Sequence, residues 1–160
     1  MVRYVEQVEI SASPEAVWAV LTDVQGWRKW TASVELIRIL PPAGGSAPSE
    51  PTRSFGVDSE AWVKQPKLPG ARWRVTVFEP VSSFTWQSQV PGVRSVAAHL
   101  LYPHPRGAAD PQGTQVTFEL RQNGLLAPLA GLLLGRLARR YLAMEAAGLK
   151  AYCEAVAPSH

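Results

Sequence analysis

One histidine and one tyrosine are placed where they could move or direct protons. His99 lies in the run Val93 to Tyr102, whose strand alternation sets Ala97, His99 and Leu101 on one side, an imidazole among apolar neighbours. There it can hydrogen-bond a carbonyl or phenol, or serve as acid or base. The opposite parity, Val96, Ala98 and Leu100, is also apolar, and a histidine satisfied by a neighbouring backbone group is the plainer role. Tyr141 falls midway along the apolar stripe of a long helix, where its hydroxyl can orient a bound molecule or simply edge a core. Ser88 and Gln65 are further polar groups of the same kind. Asp58 and Glu60 flank Ser59 and share a strand face, as paired carboxylates in a hydrolase do and as a solvated face does too; Trp62 continues their parity.

Other chemistries find no support. The histidines, at positions 99, 104 and 160, and the single cysteine, Cys153, lack the clustered spacing of a metal site, so no metal and no other cofactor is expected. There is no phosphate-cradling glycine motif and no nucleophile elbow. A net charge of +3 arises from scattered residues, apart from Arg136, Arg139 and Arg140, without the basic stripe and exposed aromatics of a nucleic-acid reader. Nucleic acid is therefore not an expected partner. One cysteine cannot form an internal disulfide, and the N-terminus lacks the basic segment, apolar run and small-residue site of a secretion signal. A cytoplasmic protein is the expectation. The most apolar run, Leu125 to Gly135, is about half the roughly 20 residues a bilayer span needs.

The elements that must position these groups follow from periodicity. Val2 to Ile10 reads as a strand; Ser13 caps a helix with Pro14 in its first turn and Val17, Val20, Leu21 and Val24 on one face. Trp27 and Trp30, three apart, project together from a short second helix. Strand character then recurs over Val34 to Leu40, Phe55 to Lys64, Ala71 to Glu79, Ser83 to Val90, Val93 to Tyr102 and Thr114 to Arg121. Alternation turns Trp73, Val75, Val77, Phe84, Trp86, Val116, Phe118 and Leu120 inward, and Arg72, Arg74, Gln115, Thr117 and Glu119 to water. Pro41 to Pro51 reads as a flexible connection, and Pro103 to Gly113 as a long, mobile hairpin loop. From Leu125 to about Val156 a helix of roughly 45 Å carries a stripe of Leu126, Leu129, Leu133, Leu137, Tyr141, Met144, Gly148 and Tyr152. With 46% apolar residues in 160, one domain over 1–160 is expected.

The order of elements, the strings Ser13-Pro14-Glu15-Ala16-Val17-Trp18, Leu21-Thr22-Asp23, Trp27-Arg28-Lys29-Trp30 and Gly113-Thr114-Gln115-Val116-Thr117, and the closing helix resemble the bacterial polyketide cyclase/dehydrase-like branch of the SRPBCC (START/Bet v1-like) superfamily. That resemblance implies an α+β helix-grip fold: about seven antiparallel strands curved around the long helix, with an apolar cavity between them. Trp27, Trp30, Trp62, Trp73 and Trp86 lie on elements that border such a cavity and, with His99, Phe118, Leu133, Leu137 and Tyr141, make the expected ligand-binding set. Each indole alone is as well explained by core filling. Two uses of the cavity follow: carriage or sensing of a small hydrophobic ligand (a lipid, isoprenoid or aromatic polyketide), or a cyclase or dehydratase reaction with His99 or Tyr141 moving protons. The third reading is an interaction module. Leu125 to Gly135 is apolar all round and runs into the arginines up to Arg140, which suits peripheral membrane contact, a homodimer contact, or a helix end covered by loops.

Overall fold

The structure is a computed structural model that describes residues 1–41, 54–104 and 113–156. The connection after Pro41 and most of the loop before Gly113 lie outside these residues. Strand β1 (Val2–Ile10) leads into α1 (Pro14–Thr22), then a short 3₁₀ helix (Val24–Lys29), then β2 (Leu36–Ile39), β3 (Glu60–Lys64), β4 (Ala71–Glu79), β5 (Ser83–Val90), β6 (Val93–Pro103), β7 (Thr114–Asn123) and the long helix α2 (Ala127–Val156). The seven strands form one antiparallel sheet in the order β1-β7-β6-β5-β4-β3-β2, so β1 closes onto β7 and every other neighbour is adjacent in sequence. This is the helix-grip arrangement, with the helices on the concave side.

Local chemistry accounts for the order of these elements. The Ser13 hydroxyl accepts the Ala16 N–H at 3.2 Å and Pro14 occupies the first turn, while Val17 and Leu21 anchor α1 in the core. The second helix is 3₁₀ rather than α, which eclipses residues three apart and brings Trp27 and Trp30 to 5.3 Å between ring centroids. Trp27 is fixed further by its indole N–H, which donates to the Leu21 carbonyl at 2.8 Å. β2 and β3 are shorter than their sequence patterns suggest; Phe55 to Ser59 forms turns that include Asp58 at φ 70°.

Strict alternation fails at one point. A β-bulge between Val75 and Val77 inserts an extra residue opposite β5, so Val75 pairs with Trp86 and Phe78, not Val77, pairs with Phe84. Val77 is therefore turned outward and Phe78 takes its place in the core. On β7 the outer face is less wet than alternation suggests: Thr117 is buried, and Glu119 is held by Arg3 at 2.8 Å and Arg121 at 2.9 Å.

α2 crosses the sheet with one face sealed. Tyr141, Leu142, Glu145, Ala146, Leu149 and Cys153 are buried on it, a line one residue out of phase with the stripe read through Met144, Gly148 and Tyr152. Gly148 has a different purpose: a Cβ there would sit 2.0 Å from the Trp30 carbonyl oxygen, so only glycine lets the helix approach this closely. Cys153 lies in the core, where burial pushes its thiol up to about 11 and makes it a poor nucleophile. Among the described residues, no helix is long and apolar enough to cross a membrane.

Candidate functional site

Between the sheet and α2 lies a cavity of about 260 Å³. Its walls come from the 3₁₀ helix (Trp27), the inward faces of β4 to β7 (Trp73, Trp86, Ser88, His99, Phe118) and α2 (Leu137, Tyr141, Glu145). The β3–β4 turn, through Gln65, Leu68 and Pro69, closes one side.

His99 stands in an aromatic box. Its ring stacks on Phe84 at 4.2 Å between centroids and meets the edges or faces of Trp27 at 5.5 Å, Phe118 at 5.7 Å and Trp86 at 6.1 Å. Burial disfavours the imidazolium and lowers its pKa from 6.5 to about 4, against a smaller upward pull from the Phe84 carbonyl. The ring is thus neutral at pH 7. Nδ1 lies 3.2 Å from the Phe84 carbonyl oxygen, which can only accept, so Nδ1 carries the proton and Nε2 is left as a bare acceptor. No partner for Nε2 is found among the described residues.

A second polar centre faces the same space, and sequence periodicity missed it. Glu145 is only 7% exposed, and burial raises its carboxyl pKa from 4.5 to about 7, less the opposing effect of the Ser33 hydrogen bond. The Ser33 hydroxyl donates to Glu145 Oε1 at 3.1 Å. Because that uses Ser33's one hydroxyl proton, the Thr31 hydroxyl, 2.9 Å away, donates to Ser33 in turn. The Ser33 backbone N–H donates to Thr31 Oγ1 at 3.2 Å and fixes the relay. The signal for Glu145 was present: Leu142, Ala146 and Leu149 flank it at helical spacing, so a single carboxyl interrupts an apolar face.

Ser88, on β5, presents a fully buried hydroxyl with no hydrogen-bond partner. Tyr141 forms part of the wall, but its hydroxyl donates to the Pro66 carbonyl and so ties α2 to the β3–β4 turn. Lys64 completes that turn by donating to the carbonyls of Gln65 at 2.8 Å and Leu68 at 2.6 Å. Burial also raises the Tyr141 pKa, so the phenol stays protonated.

Three residues of the expected ligand-binding set do not reach the cavity. Trp62 points outward from β3 and covers Gly70, where a Cβ would meet its ring at 2.2 Å; Ala61 and Val63 take the inward positions. Trp30 is half-buried behind Trp27, against α2 at Gly148. Leu133 is 70% exposed, and Leu134 and Leu137 face the cavity in its stead. Trp27, Trp73, Trp86, His99, Phe118, Leu137 and Tyr141 are brought together. Asp58 and Glu60 lie on the outer face in ion pairs with Arg74 at 2.7 Å and Arg72 at 3.5 Å, so they form no catalytic pair.

Solved structures share this architecture at low sequence identity. A hypothetical protein of Helicobacter pylori is 14% identical over 95% of this chain and 88% of its own, with a TM-score of 0.74. The Zhui aromatase/cyclase of Streptomyces sp. R1128 is 14% identical over 96% of this chain and 93% of its own, with a TM-score of 0.70. A protein of Thermus thermophilus is 17% identical over 96% of this chain and 95% of its own, with a TM-score of 0.63. No curated protein matches the sequence. Residues 1–154 match the pattern described as polyketide cyclase / dehydrase and lipid transport, and the chain belongs to that family.

Proposed function

We propose that the protein holds one small, largely apolar molecule between the sheet and α2, as a carrier or sensor. This molecule turns one polar group toward His99 and another toward Ser88, which stands four residues along β5 from Phe84, the cross-strand partner of His99. The observation that supports this most is the unpartnered Ser88 hydroxyl in the wall of a cavity lined largely by aromatic and aliphatic groups. A buried hydroxyl without a partner costs about 1–3 kcal/mol, and a ligand oxygen bonded to it removes that cost. His99 Nε2, an acceptor, selects a ligand hydroxyl or phenol beside it. The volume, about 260 Å³, lies just below the usual range of roughly 300–1,000 Å³ for small-molecule sites and favours a compact ring system or short isoprenoid over a long acyl chain. Native mass spectrometry of the gently purified protein, followed by solvent extraction, tests this. One apolar, hydroxylated molecule per chain is expected; an empty protein that also refuses a panel of phenols and isoprenoids overturns the reading.

One observation favours a second reading, an enzyme of cyclase or dehydratase type. His99 is a neutral acceptor and Glu145 a proton holder, two groups driven apart in pKa within one cavity. In a dehydration, Nε2 takes a proton from the carbon next to a carbonyl while Glu145 protonates the departing hydroxyl, which leaves as water as the new double bond forms. His99→Ala separates the readings: an enzyme loses turnover and keeps binding, whereas a carrier has no turnover to lose.

A further inference from the structure

Nothing in the described residues covers the leucines at the start of α2. Leu125 is 96% exposed, Leu132 82% and Leu133 70%, with Leu126, Leu129, Leu134 and nearby Val90 also open. The Leu126 N–H donates to the Gly92 carbonyl at 3.0 Å and the Ala127 N–H to the Gly124 carbonyl at 3.1 Å. These bonds join the helix start to the β5–β6 turn and the end of β7 as one tip. An exposed apolar face of this extent on a folded protein marks a surface that meets something.

The charges around the tip identify what it meets. Segments 87–96 and 120–144, which build the tip and its collar, contain five arginines (Arg94, Arg121, Arg136, Arg139, Arg140) and no aspartate or glutamate; of these Arg121 is paired with Glu119 at the collar's edge. Arg139 lies over the Tyr4 ring at 5.2 Å, and all three of Arg136, Arg139 and Arg140 are exposed. Leu129, Leu132, Leu133, Arg136 and Arg140 are spaced by three and four, so they share one helix face. At about 1.5 Å per residue, Arg136 lies roughly 4.5 Å and Arg140 roughly 10 Å along the axis from Leu133. Leucines at the acyl boundary and arginines at phosphate depth is the layering of an interfacial helix on an anionic bilayer.

We infer that this tip docks on an anionic lipid surface. The inference goes beyond ligand binding, and it gives the cavity a doorway: Val90 and Leu134 belong both to the exposed tip and to the cavity wall. An apolar molecule dissolved in the bilayer can then pass between membrane and cavity without crossing bulk water.

Co-sedimentation of the full chain with vesicles tests this, using phosphatidylcholine alone and an equal mixture of phosphatidylcholine and phosphatidylglycerol. Wild type is expected to sediment with the mixed vesicles and to be released by high salt. L132S/L133S is expected to weaken partitioning by at least about tenfold, and R136Q/R140Q by about tenfold on the mixed vesicles with little change on neutral ones. All four side chains are exposed, and an unchanged melting temperature verifies the fold of each variant. Failure of wild type to sediment, or sedimentation indifferent to lipid charge and to both double variants, overturns the inference. So does a dimer in sedimentation velocity that L132S/L133S converts to monomer, since the leucines then cover a second copy of the chain. Vesicle binding is read without any cavity ligand, so its failure leaves the ligand-binding reading standing.

Discussion

The two halves of α2 obey opposite rules. From Tyr141 to Cys153 the inward face is buried, bordering the cavity at Tyr141, Leu142 and Glu145 and continuing into the core at Ala146, Leu149 and Cys153, and a carboxyl lies within it. From Ala127 to Leu134 the residues are more apolar, yet most leucines face outward. Hydrophobicity alone therefore does not decide burial here; the geometry of what lies opposite does. Gly148 lets the distal half press onto the Trp30 carbonyl, and the proximal half overhangs the sheet's end at Gly92 and Gly124.

Stability measurements sharpen this contrast. In urea unfolding, Leu149→Ala, at a fully buried site, is expected to cost about 3 kcal/mol, whereas Leu132→Ala changes stability by less than about 0.5 kcal/mol. Gly148→Ala is expected to cost about 2 kcal/mol in the same assay despite its better helix propensity, because the Trp30 backbone must move. Equal losses at positions 149 and 132 would erase the distinction between the two halves.

The buried carboxyl gives the distal half a pH signature. Glu145 keeps its proton up to about pH 7 when folded and loses it near 4.5 when unfolded, so its contribution is complete below 4.5 and is lost as pH rises through 7. His99 runs the other way: its folded pKa is about 4 against 6.5 unfolded, so stability is gained as pH rises from 4 to 6.5. The two slopes oppose each other between about pH 4.5 and 6.5, and wild type should be nearly flat there. Glu145→Gln should unmask the rise and His99→Gln the fall, measured as unfolding free energy against pH. Tyr141→Phe, which removes the tie to Pro66, should cost about 1 kcal/mol and speed exchange of any bound ligand. Ser88→Ala is expected to be the smallest change, neutral or slightly stabilising in the empty protein, because its hydroxyl has no partner to lose.

The sheet, its strand count and the long helix were legible because alternation and helical spacing are strong over such lengths. His99 was placed inward by parity, although both faces of its strand are apolar. What was not legible depended on phase and irregularity. An all-round leucine run carries no phase, so Leu133 was assigned to the cavity that Leu134 and Leu137 line. The bulge between Val75 and Val77 has no glycine or proline to announce it, and it exchanged Val77 for Phe78. The apolar stripe through Met144 skips Glu145; the close approach of α2 at Gly148, with Gly131 and Gly135 against β1, turns the helix so that the carboxyl is buried.

Four indoles form a chain from behind the cavity into it: Trp30 to Trp27 at 5.3 Å, Trp27 to Trp86 at 5.6 Å and Trp86 to Trp73 at 5.7 Å. At such separations their electronic transitions couple, so light absorbed by one ring is shared along the line and its circular dichroism depends on their mutual angles. Three of the four border the cavity, and an aromatic guest between them would drain their emission and reshape that couplet. Occupancy can thus be followed in real time on the unlabelled protein, from its own ultraviolet spectrum.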